Sequence, residues 1–252
     1  MPDGFDPFTR GQYTSSPLGS TLFVVLRSLD PLLQYVLLTT PLATPLLNLL
    51  RTSPIPAVAP PLALGLSAPR LILWAMSAGA AAKQIFWLLR ISRETMTPSS
   101  AVLVSCGNYV FNSVNTLLFL AAATSAAGKA EFFTPPMLVG AAVYAAGILT
   151  ETFSEMQRKA FKDDPANKGK LFTGGLFGLA RHINYGGYIL FRAGYAMFGG
   201  GWIAGAAVFA WFARDFAGRG IPMLDEYCSK RYGDAWKQYK KDVPYRMFPG
   251  LF

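Results

Sequence analysis

Apolar runs of bilayer-crossing length recur along this chain, and nothing else in it limits the fold as severely. Runs over residues 69–89, 101–127 and 136–153 approach or exceed the ~20 residues a helix needs to traverse the hydrocarbon core. A further run, 185–212, is broken by Gly199, Gly200 and Gly201 and reads as a helical hairpin whose second arm covers 202–216. The earliest run, 29–50, contains Pro31, Pro41 and Pro45, so it is either a kinked span or two short pieces. Pro98 and the pair Pro135 and Pro136 stand where spans should begin, the place where a missing N–H costs a helix nothing.

Composition agrees with the runs. Of 252 residues 52% are apolar and only 15% charged, against roughly 25% charged in soluble domains. Mean hydropathy is +0.31. Such a chain is too apolar for intrinsic disorder and ill suited to a water-facing globule. Cys106 and Cys228 sit in unlike settings, which excludes a disulfide-stapled secreted module. The expectation is an all-α, multi-spanning membrane protein with about five to seven segments. A flexible tail (1–20) precedes membrane spans (21–150) and a C-terminal membrane domain (151–252). The first twenty residues lack the apolar core of a cleavable signal peptide. The formal charge of +9 is uneven, with 15 Lys/Arg against 9 Asp/Glu after residue 150 and 8 against 5 before it. In so apolar a chain that excess points to anionic lipid or a phosphorylated ligand rather than nucleic acid, and it places the C-terminal loops in the cytosol.

After residue 153 the helical pattern continues but turns charged. Glu151, Glu155, Arg158 and Lys162 share one helical face, either as a solvated extension or as part of a site. The loop 163–175 carries Lys168, Gly169 and Lys170, suited to a phosphate or to anionic lipid. Residues 174–187 hold the lone histidine, His182, between Arg181 and Ile183, with Asn184 and Tyr185 following. Arg181, Asn184 or Tyr185, Tyr188, Arg192 and Tyr195 form one stripe, and arginines at membrane depth mark a site, snorkelling or a structural pair. Asn108, Asn112 and Asn115 also share a face; they either glue helices together or line a pocket for a polar substrate group. Lys83 and Gln84 carry the same ambiguity. Residues 222–241 form an amphipathic C-terminal helix, with Leu224, Cys228, Tyr232, Ala235, Trp236 and Tyr239 at helical spacing. No metal-ligand cluster is expected.

Phe161, then Asn167-Lys168-Gly169-Lys170, Gly175-Leu176-Phe177 and Arg181-His182-x-Asn184-Tyr185-x-Gly187 together carry a resemblance. They resemble the membrane superfamily of steroid 5-alpha-reductases, sterol reductases and isoprenylcysteine carboxyl methyltransferases, in particular proteins with the steroid 5-alpha-reductase C-terminal domain. The closing block, Leu224-Asp225-Glu226, Lys230-Arg231-Tyr232-Gly233, Trp236-x-x-Tyr239 and Val243-Pro244-Tyr245-Arg246, is most similar to sterol reductase tails. The resemblance covers residues 151–252. Two positions depart from the pattern: Tyr188 stands where relatives carry an acid, and Ile183 where proline is usual.

The resemblance implies an enzyme of lipid metabolism in the endoplasmic reticulum, with a nucleotide cofactor near the cytosolic face: NADPH in the reductases, S-adenosylmethionine in the methyltransferases. By motif position the cofactor-binding residues are Glu155, Arg158, Lys168, Lys170, Arg181, His182, Asn184, Tyr185, Asp225, Glu226 and Tyr232. The expected reaction is NADPH-dependent reduction of a carbon–carbon double bond in a sterol, steroid or other lipophilic enone. Arg181, Lys168 and Lys170 anchor phosphate, Tyr185 and Tyr188 are the catalytic proton donors, and Asn108, Asn112 and Asn115 meet the substrate. The alternatives are a methyltransferase acting on a lipid or prenylated thiol and a non-catalytic lipid-binding protein. The partners are a lipophilic small molecule and membrane lipid.

Overall fold

The computed structural model describes residues 13–57, 59–128 and 131–252, and among these every regular element is helical. The helices are α1 (Pro17–Thr39), α2 (Thr44–Leu49), α3 (Ala68–Phe86), α4 (Pro98–Leu120), α5 (Pro135–Asp163), α6 (Ile183–Asp215), α7 (Ile221–Tyr232) and α8 (Asp234–Asp242). A π-helical turn, Trp87–Ile91, ends α3. Among the described residues five stretches are long and apolar enough to cross a membrane: Pro17–Thr39, Ala68–Ile91, Pro98–Leu120, Pro135–Asp163 and Ile183–Tyr232. This is an integral membrane protein made of helices.

Prolines set the helix starts as expected: α4 begins at Pro98 and α5 at Pro135. The first span differs from the sequence reading. It begins at Pro17, not near residue 29, and runs through Pro31 to Thr39, while Pro41 and Pro45 fall in a 3-10 turn and in α2. The reason is that α1 buries a polar stripe, Arg27, Asp30 and Gln34, which dilutes its hydropathy. Residues 1–12 of the expected tail lie outside the described residues, and α1 takes up residues 17–20. The Gly199–Gly201 hairpin takes the form of two helical arms within α6, joined at Gly201 with φ 76° and ψ −168°, a conformation that needs glycine. The amphipathic C-terminal segment is two helices, α7 and α8, parted at Gly233.

The described chain divides into two compact units: residues 13–142 with 193–206, and residues 143–192 with 207–252. In the first, α1 packs on α3 and α4 with an inverted pattern. Val25, Leu29, Leu32 and Val36 face outward, while Arg27, Asp30 and Gln34 are fully buried. Helix α4 repeats it, exposing Val102, Leu103 and Val110 and burying Ser105, Asn108, Asn112 and Thr116. Lipid accepts the apolar face, and hydrogen bonds join the polar faces. Asp30 accepts from Arg27 Nη1 (2.8 Å), Gln34 Nε2 (2.9 Å) and Asn112 Nδ2 (2.5 Å), and Thr116 Oγ1 donates to Gln34 Oε1 (2.7 Å). A second buried pair closes one end: Arg70 Nε meets Glu131 Oε1 at 2.5 Å, and its Nη1 donates to the Leu38 carbonyl.

In the other unit α5 and α6 cross almost backbone to backbone. A Cβ on Gly187 would lie 2.6 Å from Glu151 N and 2.8 Å from Gly147 O, and one on Gly147 would lie 2.3 Å from Phe191 N. Gly187 of the motif is therefore a crossing residue. Gly187→Ala forces the helices apart, at a cost of ~1–3 kcal/mol for overpacking. The expected result is a lower melting temperature in detergent. An unchanged melting temperature would show that the crossing yields freely.

Candidate active site

The second unit gathers most of the motif residues around the start of α6. Helix α5 leaves its apolar stretch near residue 153 and carries Glu155 and Arg158 forward, with Glu155 only 4% exposed. Glu155 accepts from Asn184 Nδ2 at 2.7 Å through Oε1 and from Arg158 through Oε2. A buried carboxylate, an amide and a cation thus form one cluster. Arg158 also lies over the Phe177 ring, 5.6 Å from its centroid, and Gln157 Oε1 accepts the Leu176 N–H at 2.9 Å, fixing the turn Gly175–Gly178.

The C-terminal tail is strapped across the motif. The backbone N–H groups of Arg181 and His182 donate to the carbonyls of Tyr245 (3.0 Å) and Arg246 (2.7 Å). Arg181 Nη1 donates to the carbonyls of Val243 and Pro244, so its guanidinium clasps the tail. Burial, then the nearby Arg246 cation, lowers the Arg181 pKa. His182 occupies the N-cap position of α6, 2% exposed, between the Tyr185 ring (5.6 Å, stacked) and Trp236 (6.3 Å). Burial first, and the Arg181 charge second, push its pKa from 6.5 down to about 4, so the imidazole is neutral near pH 7. Below it Tyr239 donates to the Phe177 carbonyl at 2.7 Å, and burial raises its pKa.

The tyrosines nominated as catalytic share one aromatic group. Tyr185 stacks on Phe216 at 4.4 Å and 9°. Tyr188 presents edges to Phe191, Phe212 and Phe216, and its hydroxyl accepts from Arg192 Nε at 3.1 Å. Arg192 is 2% exposed and lies over the Tyr188 and Phe191 rings. Asp225 accepts from Trp236 Nε1 at 2.7 Å and from Lys240 Nζ at 3.1 Å, tying α7 to α8. Tyr232 accepts from Lys162 Nζ at 3.1 Å. Glu226 is exposed and paired with Lys230 (2.5 Å), and Lys168 and Lys170 are exposed on the loop.

So Glu155, Arg158 and Asn184 come together; Tyr185 and Tyr188 meet through Phe216; and His182 and Asp225 meet through Trp236. Glu226, Lys168 and Lys170 stand out in solvent. In the other unit Asn112 is spent on Asp30, while Asn108 accepts from Gln84 Nε2 at 2.9 Å. Phe212 and Phe216 were not singled out, although their i, i+4 spacing at the end of an apolar arm was visible. Gln157, which sets the motif turn, had no such signal.

A family model described as a protein of unknown function, DUF1295, matches residues 90–243. The chain belongs to the DUF1295 family. This DUF1295 protein is steroid 5-alpha-reductase-like, and its relatives include both reductases and a methyltransferase by name. It is 41% identical over 233 residues to a probable O-methyltransferase of Ustilaginoidea virens, covering 88% of this chain and 82% of that one. It is 34% identical over 91 residues to a probable 7-dehydrocholesterol reductase of Acanthamoeba polyphaga mimivirus, covering 33% and 19%. It is 28% identical over 168 residues to a delta(14)-sterol reductase of Gibberella zeae, covering 46% and 34%. The DUF1295 protein thus spans 19% and 34% of the length of these two reductases, and most of the length of the methyltransferase.

Proposed function

We propose that this protein transfers a methyl group from S-adenosylmethionine to an oxygen of a lipophilic acceptor at the membrane. The observation that carries the reading is the division of charges at the motif. The buried carboxylate Glu155 faces Asn184 and holds Arg158, while Arg181, expected to hold phosphate, is engaged on tail carbonyls, and the loop lysines Lys168 and Lys170 stand exposed, away from this centre. An acceptor-rich centre beside stacked aromatics suits a cationic adenosyl cofactor better than a diphosphate. The match along most of the named O-methyltransferase supports the same choice.

The residues fit such a group. Glu155 and Asn184 would hold ribose hydroxyls or the amino group, and Tyr185 and Phe216 offer an aromatic face. When bound, S-adenosylmethionine supplies an electrophilic methyl carried on a sulfonium. Tyr188, whose hydroxyl is fixed by Arg192, would orient the acceptor's hydroxyl and receive its hydrogen bond. The tail strap and the aromatic group keep water out, and a lipophilic acceptor arrives from the membrane. The basic excess of the C-terminal half supports a cytosolic side for its loops, with the endoplasmic reticulum as the proposed membrane.

A second reading, NADPH-dependent reduction of a carbon–carbon double bond in a sterol, steroid or lipophilic enone, is favoured by the sterol reductase matches. In it NADPH supplies hydride, the exposed Lys168 and Lys170 hold phosphate, and Tyr185 or Tyr188 gives the proton. Calorimetric titration of the detergent-purified protein with each cofactor separately decides between them. The expected result is saturable S-adenosylmethionine binding that Glu155→Gln weakens roughly tenfold, about one charged hydrogen bond. Saturable binding of NADPH alone overturns the methyl-transfer reading. Silence from both in folded protein points to a non-catalytic lipid-binding role.

A further inference from the structure

Among the buried polar atoms of the first unit that have no hydrogen-bond partner among the described residues are Gln84 Oε1 on α3 and Ser105 Oγ on α4. Ser105 is 0% exposed, and both atoms are shut off from solvent. They belong to one neighbourhood. Gln84 Nε2 donates to Asn108 Oδ1 at 2.9 Å, and Ser105 lies one turn before Asn108 on the same buried face of α4. In hydrocarbon an unmet polar atom is costly, so two that share Asn108 as a neighbour indicate an absent partner.

The missing partner has a definable chemistry. Gln84 Oε1 can only accept, and so requires a donor. Ser105 Oγ can donate, and so requires an acceptor. A hydroxyl group satisfies both at once, giving its proton to Gln84 and accepting from Ser105. On the side toward the α3–α4 connection the surroundings are apolar: Phe23, Leu88, Met96 and Ala101 are buried together, flanked by Trp87 and Val104. The π-helical turn Trp87–Ile91 begins three residues after Gln84, and such turns gather at functional sites. Gln84 lies seven residues from the end of that turn, roughly 10 Å along the axis, a depth that a lipid-dissolved molecule reaches from the side.

We infer that Gln84, Ser105 and Asn108 form an anchoring site for the hydroxyl of an apolar alcohol or phenol. Binding at the site does not rest on the methyl-transfer reading and is measured without cofactor. The test uses 2-naphthol and its methyl ether, 2-methoxynaphthalene, titrated into the detergent-purified protein with tryptophan fluorescence as the readout, alongside the melting temperature of the ligand-free protein. The wild type is expected to bind the alcohol roughly tenfold more tightly than the ether, the worth of the hydrogen bond to Gln84. Gln84→Met should erase that preference. Ser105→Ala should weaken alcohol binding several-fold while raising the melting temperature, since it removes a buried hydroxyl that the empty site leaves unmet.

Equal affinity for alcohol and ether in the wild type, or an alcohol affinity unmoved by both substitutions, would mean that water alone fills the site, and overturns the proposal. A Ser105→Ala protein that melts lower and binds the alcohol normally would assign the hydroxyl a partner within the protein, which overturns it as well. Cofactor titration reports separately on the methyl-transfer reading, so the failure of either is distinguishable from the failure of the other.

Discussion

Replacing Asp30 by alanine should destabilise the protein by about 3–5 kcal/mol, the usual consequence of removing one partner from a buried ion pair. Asp30 is fully buried and accepts from three donors: Arg27 at 2.8 Å, Gln34 at 2.9 Å and Asn112 at 2.5 Å. Alanine leaves a buried guanidinium without its carboxylate and takes the acceptor away from two amides. Asp30→Asn should cost less, because its amide oxygen still accepts. The double change Arg27→Met with Asp30→Leu should recover most of the loss, since both charges leave together. Unfolding of the four proteins by SDS titration in dodecylmaltoside micelles gives the comparison. A loss below about 1 kcal/mol for Asp30→Ala would show that water or detergent reaches Arg27 and that the pair is not dry.

The same network decides what Asn112 does. Its amide is held on Asp30, joining α4 to α1, so Asn112→Ala removes one donor of three. The expected loss is about 1 kcal/mol, in the range of single interhelical hydrogen bonds in membranes. Asn108 is in a different position, because its partner Gln84 carries an oxygen with a bond still to make. Two asparagines four residues apart thus differ in their partners, one holding Asp30 as glue and one beside the proposed ligand site.

Features that depend on local chemistry were legible in the sequence. Pro98 and Pro135 start helices because proline lacks the N–H that a first turn leaves unused anyway. The break at Gly201 was visible in the glycine run, and the charged continuation of α5 beyond residue 153 in the change of composition. Features that depend on a distant partner were not. Arg27, Asp30 and Gln34 look like reasons to reject a span until α4 supplies Asn112 and Thr116 opposite them. Arg181 beside a histidine reads as a phosphate anchor, yet the carbonyls it binds belong to residues 243 and 244, which only the folded tail brings near. Gly187 is visible as a motif glycine, whereas Gly147, the reason for it, belongs to no motif.

Acidification should destabilise the protein between pH 6.5 and about 4, and His182 should account for much of the change. In the folded chain its pKa is about 4, below the ordinary 6.5, because burial and the neighbouring Arg181 charge disfavour the imidazolium. The sign follows from proton uptake. Above pH 6.5 His182 is neutral in both states and stability does not depend on it. Between 6.5 and 4 the unfolded chain takes up a proton that the folded one refuses, so stability falls with pH, levelling off below 4. The span of that window corresponds to about 3 kcal/mol, at 1.36 kcal/mol per pH unit. Carboxylates in general ionise in the lower part of this range, so the measurement is a difference: unfolding free energy against pH for the wild type and for His182→Gln, from pH 7.5 to 4. The variant should show a shallower fall, so that the stability of the wild type relative to the variant drops between pH 6.5 and about 4. Parallel curves would mean that water reaches His182 in the folded protein, and with it that the tail carbonyls of Tyr245 and Arg246 do not stay closed over the motif.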